Sequence, residues 1–210
     1  MPPTRPTRAA GPTGRTRLNA AERRASILAA ATEVFSELGY HRTRMSEVAR
    51  RVGVSEPVVF QNFGSKAAVF AAVLDGAAER TRAELLAWAD RAPDTGSWLA
   101  ELLAPEHLAS VHRRGTLGVL FADAQTLTGE DPAVLDAARR ANRMVADTFA
   151  DLLAAGRADG TVRTDLDPAT GAWWLVSLLA SQPLRLAVAG APESAERGLA
   201  ALTLHALTGR

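Results

Sequence analysis

The 210-residue sequence contains no cysteine, one tyrosine and only 5% aromatic residues. The absence of cysteine excludes disulfide bonds and thiolate metal sites, although it leaves the redox compartment open. No uncharged apolar run reaches about 18 residues, the length expected of a membrane-spanning helix. The most apolar stretch, WWLVSLLA, is soon followed by Gln182, Pro183 and Arg185. We therefore expect a protein with no membrane association.

The sequence also lacks the motifs of common enzymes. It has four histidines, of which His107 and His112 are five residues apart and do not share a helix face. No H-E-x-x-H, G-x-S-x-G, G-x-G-x-x-G or phosphate-loop pattern occurs. We expect no enzymatic activity, no cofactor and no bound metal. The N-terminal residues include arginines but no apolar segment like that of a signal peptide, so the expected location is the cytoplasm.

The charge that is present is distributed unevenly. Residues 1–66 hold 11 Lys and Arg against 5 Asp and Glu, whereas residues 67–210 hold 13 against 18. A basic surplus at one end is typical of a domain that binds the phosphate backbone of nucleic acid, and a chance imbalance remains the alternative.

The first third of the chain is predicted to form a small helical head. Residues 1–18 are rich in Pro, Gly, Thr and Arg, which predicts a disordered basic arm with or without a role in DNA binding. From Asn19, a predicted cap, apolar residues recur with helical spacing up to Gly39. A second helix follows, with Thr43 as its predicted cap and Gly53 as its stop. The head is thus assigned to residues 19–64.

The third helix is predicted to begin at Ser55, with Pro57 in its first turn. Two short helices joined by a tight turn form a helix-turn-helix. Val59 and Phe63 are four residues apart and are assigned to the core, with Phe60 at its edge. The outward-facing positions are Glu56, Pro57, Val58, Gln61 and Asn62. Side chains of these types suit the edges of bases in the major groove, although a merely solvated helix face is the alternative.

The remaining residues, 65–210, are predicted to form a larger helical body. Ser65 is expected to cap a long helix that runs to about Asp90, and a further helix is expected near Ser97. Asp131-Pro132 and Asp167-Pro168 are typical helix starts, and Pro192 precedes a last amphipathic helix. No convincing strand pattern occurs, so the predicted fold is all-α.

Lys66 occupies an unusual position in this pattern. It lies at the start of the predicted fourth helix, where the helix macrodipole disfavours a cation by up to about 1 kcal/mol. A phosphate bound at the same helix end would account for it, and a solvated lysine that bends away is the alternative.

These motifs carry a resemblance to a known family. The run GYHRTRMSEVARRVGVSEPVVFQNFGSK resembles the DNA-binding domain of the tetracycline-repressor (TetR) family of transcriptional regulators. The resemblance covers about residues 25–74, in order and spacing, and the body shows no comparable motif. It implies that the body is a diverse ligand-binding and dimerisation domain. It also implies that the two C-terminal helices form a four-helix bundle with those of a second copy, and a single intramolecular core is the alternative.

The resemblance also assigns roles to residues. It implies base contacts from Glu56, Pro57, Val58 and Gln61. It implies phosphate contacts from Thr43, Arg44, Phe60, Asn62 and Lys66. The sequence departs from the family pattern at Arg44, where a second Thr or Ser is frequent, at Phe60, where tyrosine is usual, and at Ala67, where an acidic residue is common. Phe60 therefore lacks a hydroxyl donor, which Arg44 is expected to replace.

A pocket between the helices of the body is the expected effector site. Phe121 and Gln125, four residues apart, are predicted to present a ring and an amide to one cavity. The predicted walls are Trp98, Leu102, Met144 and Trp174, and ordinary packing is the alternative for each of them.

Together these features predict a homodimeric, ligand-responsive regulator. We expect a repressor released from a palindromic operator in double-stranded DNA by a small apolar or aromatic effector, such as an antibiotic, a fatty acyl compound or a secondary metabolite. A DNA-binding regulator or architectural protein without an effector is the alternative. The operator, the effector, the regulated gene and the sign of regulation are not encoded in recognisable motifs.

Overall fold

The computed structural model describes residues 19–127 and 131–209, and the predicted arm over residues 1–18 lies outside them. Within the described residues the chain forms ten α-helices and no strand, which confirms the predicted all-α class. The helices are α1 (Ala20–Leu38), α2 (Met45–Val52), α3 (Glu56–Phe63), α4 (Lys66–Ala89), α5 (Thr95–Leu102), α6 (Pro105–Val111), α7 (Leu117–Leu127), α8 (Pro132–Asp159), α9 (Pro168–Ala180) and α10 (Glu193–Thr208). A π-helical segment, Leu184–Val188, lies between α9 and α10.

Several helix boundaries follow from local capping chemistry. Asn19 and Glu22 form the reciprocal hydrogen bonds of a capping box at the start of α1. Ser65 accepts a hydrogen bond from the backbone N–H of Ala68 and so caps α4. Asp131 and Asp167 cap α8 and α9, each directly before a proline. These predicted starts are confirmed.

Other boundaries differ from the prediction. The N-cap position of α2 is held by Arg44, and the Thr43 hydroxyl makes no bond to the backbone of α2. Ser55 holds the N-cap position of α3, but its side chain makes no capping hydrogen bond. Asp94 caps α5, which begins two residues before Ser97.

Two apolar clusters organise the described residues. The first joins α1, α2 and α3 to α4, α7 and the start of α8, with Phe35, Phe70 and Leu120 fully buried. The second lies between α5, α6, α8, α9, α10 and the last part of α4, around Trp98 and Phe149. The three N-terminal helices therefore share their core with the body rather than forming a separate one.

The two longest helices of the body, α4 and α8, pack against each other, and α9 also packs against α8. Within the described ranges, no single helix has the length and apolarity needed to cross a membrane. Only α3 and α4 taken together reach that composition, and they meet at a 67° bend.

Gly156 marks a close approach between α8 and its neighbours. A Cβ atom at this position would lie 2.6 Å from Val162 Cγ2 and 2.7 Å from Thr95 Cγ2. Both contacts are shorter than van der Waals distance, so a side chain here would push apart α8, the start of α5 and the turn after α8.

We expect Gly156→Ala to lower the free energy of unfolding by about 1 to 3 kcal/mol, because the added methyl group overpacks this contact. Urea denaturation, fitted with one m-value for all variants, would measure the change in the free energy of unfolding. Gly76→Ala is the matched control, since its Cβ would meet only the flexible end of Arg80 at 3.6 Å. That control should be stabilising by up to about 1 kcal/mol. Equal stability of the two variants would contradict the close packing at Gly156.

Candidate DNA-binding surface and effector cavity

The turn between α2 and α3 has the geometry of a helix-turn-helix. Gly53 adopts the left-handed conformation, with φ 77° and ψ 33°, and its N–H donates to the carbonyl groups of Ala49 and Arg50. Val59 is fully buried and Phe63 is partly buried, so both hold α3 against the rest of the head. This agrees with the core face predicted for α3.

The four predicted base-contacting residues lie on the outer side of α3. Pro57 and Gln61 are exposed, one helical turn apart, and Glu56 and Val58 are half-buried beside them. The structure therefore leaves Pro57 and Gln61 accessible, with Glu56 and Val58 partly accessible on either side of them.

Thr43 is placed differently from the prediction. Its side chain is buried, with a relative exposure of 2%. Its hydroxyl donates to the carbonyl oxygen of Gly39 at 2.8 Å, at the end of α1. Thr43 thus closes the C-terminal end of α1, and its hydroxyl does not reach the surface where a phosphate contact would form.

The other predicted phosphate contacts lie nearer the surface. Arg44 is exposed at the start of α2, and Phe60 is 37% exposed. The amide nitrogen of Asn62 donates to the carbonyl oxygen of Val58 at 2.7 Å, which commits one of its two N–H bonds.

Lys66 has local partners that the sequence did not indicate. Its ammonium nitrogen lies 4.4 Å from the centre of the Tyr40 ring, within the range of a cation–π interaction. It is also 3.4 Å from the carbonyl oxygen of His41. Partial burial lowers the pKa of Lys66 from its ordinary value. The lysine therefore joins the start of α4 to the loop between α1 and α2.

Arg24 is a further contact that sequence reasoning missed. Its guanidinium carbon lies 3.9 Å above the ring of Phe63, and it donates to the carbonyl oxygen of Asn62 at 2.6 Å. An arginine and an aromatic residue separated by 39 positions leave no periodic signal, so only the tertiary structure shows that α1 is attached to the end of α3 in this way.

Two arginines of the basic head are already paired within it. Arg51 reaches Glu37 at 2.5 Å, and Arg50 reaches Glu47 at 2.6 Å. Glu37 and Glu47 have lowered pKa values, in each case chiefly because of the hydrogen bond from the paired arginine. The positive charge available to a phosphate backbone is therefore smaller than the residue count suggests.

The body contains a cavity of about 480 Å³. Three of the six residues predicted for an effector site line it, namely Leu102, Phe121 and Gln125. The wall also includes residues that were not predicted. They are Thr81, Glu84, Leu85, Trp88, His107, Ser110, Val111, His112, Gly115, Thr116, Leu117, Gly118, Asn142, Val145, Phe149, Val176, Leu179 and Ala180.

The other three predicted residues lie away from the cavity wall. Trp98 is fully buried behind it and packs against Trp88 and Phe149, whose rings do line the cavity. Met144 is half-buried on α8 and is not part of the wall. Trp174 is 52% exposed, and its indole N–H donates to Thr203 of α10 at 3.1 Å. The helical spacing alone did not show which side of α9 faces inward.

Two hydrogen bonds join the head to the part of the body around the cavity. The backbone N–H of Gly115, a wall residue, donates to the carbonyl oxygen of Ser36 at 2.9 Å. The carboxylate of Asp123 accepts from the backbone N–H of Tyr40 at 2.6 Å. Asp123 lies on α7 between the wall residues Phe121 and Gln125, so a displacement of α7 would act directly on the loop that precedes α2.

The tight turn at Gly53 and the exposed residues of α3 define a helix-turn-helix DNA-binding domain. Residues 27–73 match the family model described as bacterial regulatory proteins, tetR family. The match covers the three helices of the head and the first part of α4, so the head is a DNA-binding domain of the kind that this family of transcriptional regulators has.

Individual relatives support the assignment. The HTH-type transcriptional activator FasR of Mycolicibacterium smegmatis is 52% identical over 58 residues, which cover 28% of this chain and 26% of FasR. The HTH-type transcriptional repressor BepR of Brucella suis is 26% identical over 169 residues, which cover 79% of this chain and 80% of BepR. This chain spans about a quarter of the length of FasR, so that similarity concerns the head.

The fold is also found in solved structures. A transcriptional regulator from Saccharomonospora viridis, solved in complex with choline, has a TM-score of 0.70 and 21% identity. The similarity covers 90% of this chain and 100% of that protein. At this level of identity the similarity establishes the shared architecture of head and body.

We expect Thr43→Val to lower the free energy of unfolding by about 1 kcal/mol, because it removes a buried hydroxyl that donates to the end of α1. The affinity for DNA should not change, because the Thr43 hydroxyl is buried and bound to Gly39. Urea denaturation and DNA titration would measure the two effects. Ser46→Ala, at an exposed position on α2, is the control and should change stability by less than about 0.5 kcal/mol. A loss of DNA affinity in Thr43→Val but not in Ser46→Ala would show that Thr43 contacts phosphate.

Proposed function

We propose that the protein is a homodimeric, ligand-responsive repressor of transcription that is released from a palindromic operator by a small apolar or aromatic effector. The observation that carries the proposal is the exposed face of α3, on which Glu56, Pro57, Val58 and Gln61 lie together. These residues contact base edges, and α3 enters the major groove. The protein acts in the cytoplasm, where its operator lies.

In this proposal residues 19–64 form the DNA-binding domain, and residues 65–210 form the ligand-binding and dimerisation domain. The boundary lies at the α3–α4 bend, although the apolar core continues across it. Repression is favoured over activation because BepR, the repressor, is similar along most of its length, whereas the similarity to FasR, the activator, is confined to the head.

The second copy binds through α9 and α10 in this proposal. Trp173, Trp174 and Leu202 are 49%, 52% and 64% exposed on these two helices. Large apolar side chains of this kind rarely form an exposed cluster on a monomer. Two heads held in this way read half-sites about 34 to 36 Å apart, which one short helix cannot specify alone.

The proposed release mechanism uses the two hydrogen bonds between the head and the part of the body around the cavity. An effector that displaces α6 and α7 alters the supports that Gly115 and Asp123 provide to α1 and to Tyr40. The heads then lose the spacing that successive major grooves require. Operator affinity falls by the coupling free energy, typically about 1 to 3 kcal/mol.

Selection of genomic fragments on the full-length protein, followed by sequencing, tests the function directly. The expected result is an inverted repeat whose half-site centres are separated by one helical turn or a multiple of it. Recovery of random fragments, with no shared sequence, would show that the protein is not a sequence-specific regulator.

We expect Lys66→Ala to weaken binding to all DNA sequences alike and to reduce the slope of log affinity against log salt by about one. In the proposed complex the ammonium group of Lys66 leaves the Tyr40 ring and binds a phosphate, and the variant lacks this cation. Arg82→Ala, at an exposed position sixteen residues further along α4, is the control and should leave the slope unchanged. If Lys66→Ala binds as well as the wild type at every salt concentration, Lys66 does not contact phosphate.

We expect Leu202→Arg to convert the dimer to a monomer, because it places a charge within the proposed apolar interface. Light scattering during gel filtration would measure the mass, and operator titration would measure the accompanying loss of affinity. Ala87→Arg, on an exposed part of α4, is the control and should remain dimeric. A dimeric Leu202→Arg variant would exclude this face of α10 from the interface.

A further inference from the structure

The polar groups of the cavity indicate the chemical class of its ligand. At neutral pH the one wall residue with a full charge, among the described residues, is Glu84 on α4, and no lysine or arginine contributes to the wall. The other ionisable wall residues are His107 and His112. Burial lowers the pKa of both imidazoles. For His112 the hydrogen bond with Gln182 raises the pKa in part and the charge of Arg185 lowers it further, with a net lowering, so both rings are neutral.

The Glu84 carboxylate has no partner of its own. It makes no ion pair or hydrogen bond with any residue in the ranges 19–127 and 131–209. Its residue is exposed, so it lies where the cavity meets solvent. Other carboxylates of the molecule, such as Glu37, Glu47 and Glu196, are paired with arginines. The unpaired carboxylate gives this cavity a negative charge that favours a cation.

Aromatic rings surround the same space. Trp88 lies four residues after Glu84 on α4, so the two side chains share one face of the helix. Phe121 of α7 and Phe149 of α8 also line the cavity. The indole and phenyl faces attract a cation through their quadrupoles as well as an apolar body through burial.

Several hydrogen-bond donors of the wall are committed to the protein itself. The hydroxyl groups of Ser110 and Thr116 donate to the carbonyl oxygens of His107 and Val111 at 2.7 and 2.6 Å. The indole N–H of Trp88 donates to Glu101 at 2.6 Å. The hydroxyl oxygens keep lone pairs, so these groups offer acceptors to a ligand.

His112 also offers an acceptor. Its Nδ1 lies 3.2 Å from the side-chain oxygen of Gln182, and the Gln182 side chain in turn hydrogen-bonds the carboxylate of Glu196. Because a carboxylate only accepts, the Gln182 amide nitrogen faces Glu196 and its oxygen faces His112. The neutral imidazole therefore carries its proton on Nδ1, and Nε2 keeps a lone pair.

We propose that the cavity binds a protonated amine, a monocation with N–H donors on an apolar or aromatic body; this inference rests on the effector role proposed above. Glu84 neutralises the charge, the rings of Trp88 and Phe121 cover the body, and the acceptors of the wall receive the N–H bonds. A ligand with a carboxylate or phosphate head group is disfavoured, because it would meet Glu84 without any cation in the wall.

Three probes that share one carbon skeleton test the charge preference. They are 4-phenylbutylamine, 4-phenylbutanol and 4-phenylbutyrate, titrated calorimetrically into the full-length protein at neutral pH. We expect the amine to bind at least about tenfold more tightly than the carboxylate, with the alcohol between them. The trimethylammonium analogue of the amine keeps the charge but lacks N–H donors, and we expect it to bind more weakly than the amine.

Glu84→Gln keeps the shape of the side chain and removes its charge. It should therefore reduce the difference in affinity between the amine and the carboxylate probes to less than about threefold. Glu79→Gln, on the same helix and outside the cavity wall, is the matched control and should keep the wild-type order. Melting temperatures of both variants would verify that the fold is retained.

Three results would overturn the inference. They are a carboxylate that binds as tightly as the amine, an amine preference that persists in Glu84→Gln, and the absence of binding by all the probes. Operator titrations in the same buffer distinguish a wrong ligand class from a wrong proposal that the protein is ligand-responsive. If an alcohol or carboxylate releases the operator and the amine does not, the protein is ligand-responsive and only the chemical class is wrong.

Discussion

The contact of Phe70 with Phe35 and Tyr40 determines how the head is mounted on the body. Phe70 lies near the start of α4, and its ring centre is 5.0 Å from each of the other two. Phe35 and Phe70 are fully buried in a core that extends from α1 to α8. The orientation of α3 therefore depends on apolar packing across the boundary between head and body.

Much of the fold was predictable because its helices begin with local signals. Asn19, Asp131 and Asp167 cap helices through bonds to backbone groups two or three residues away, which are visible in sequence. Thr43 was assigned wrongly as a cap because a hydroxyl can serve either of two adjoining helices, and only the packing of α1 decides between them. Half of the residues predicted for the cavity wall were correct. Trp174 could not be placed from the sequence, because the direction of its side chain depends on how α9 packs against α10.

The electrostatic character of the head also changes once its contacts are known. The surplus of basic residues suggested a uniformly positive surface, yet Arg50 and Arg51 are bound to glutamates of α1 and α2. Pairing of this kind orders the first two helices and leaves Arg44 at the exposed start of α2. The pattern of available charge, rather than its total, defines the surface that faces a phosphate backbone.

The scarcity of aromatic residues has a practical consequence at the joint between head and body. Tyr40 is the only tyrosine in the chain. Its backbone is bound by Asp123 of α7, and its ring is covered by the ammonium group of Lys66. A sample labelled isotopically at tyrosine would give resonances from this one position. The molecule thus carries a native spectroscopic probe at the junction of the helix-turn-helix head and the body that contains the cavity.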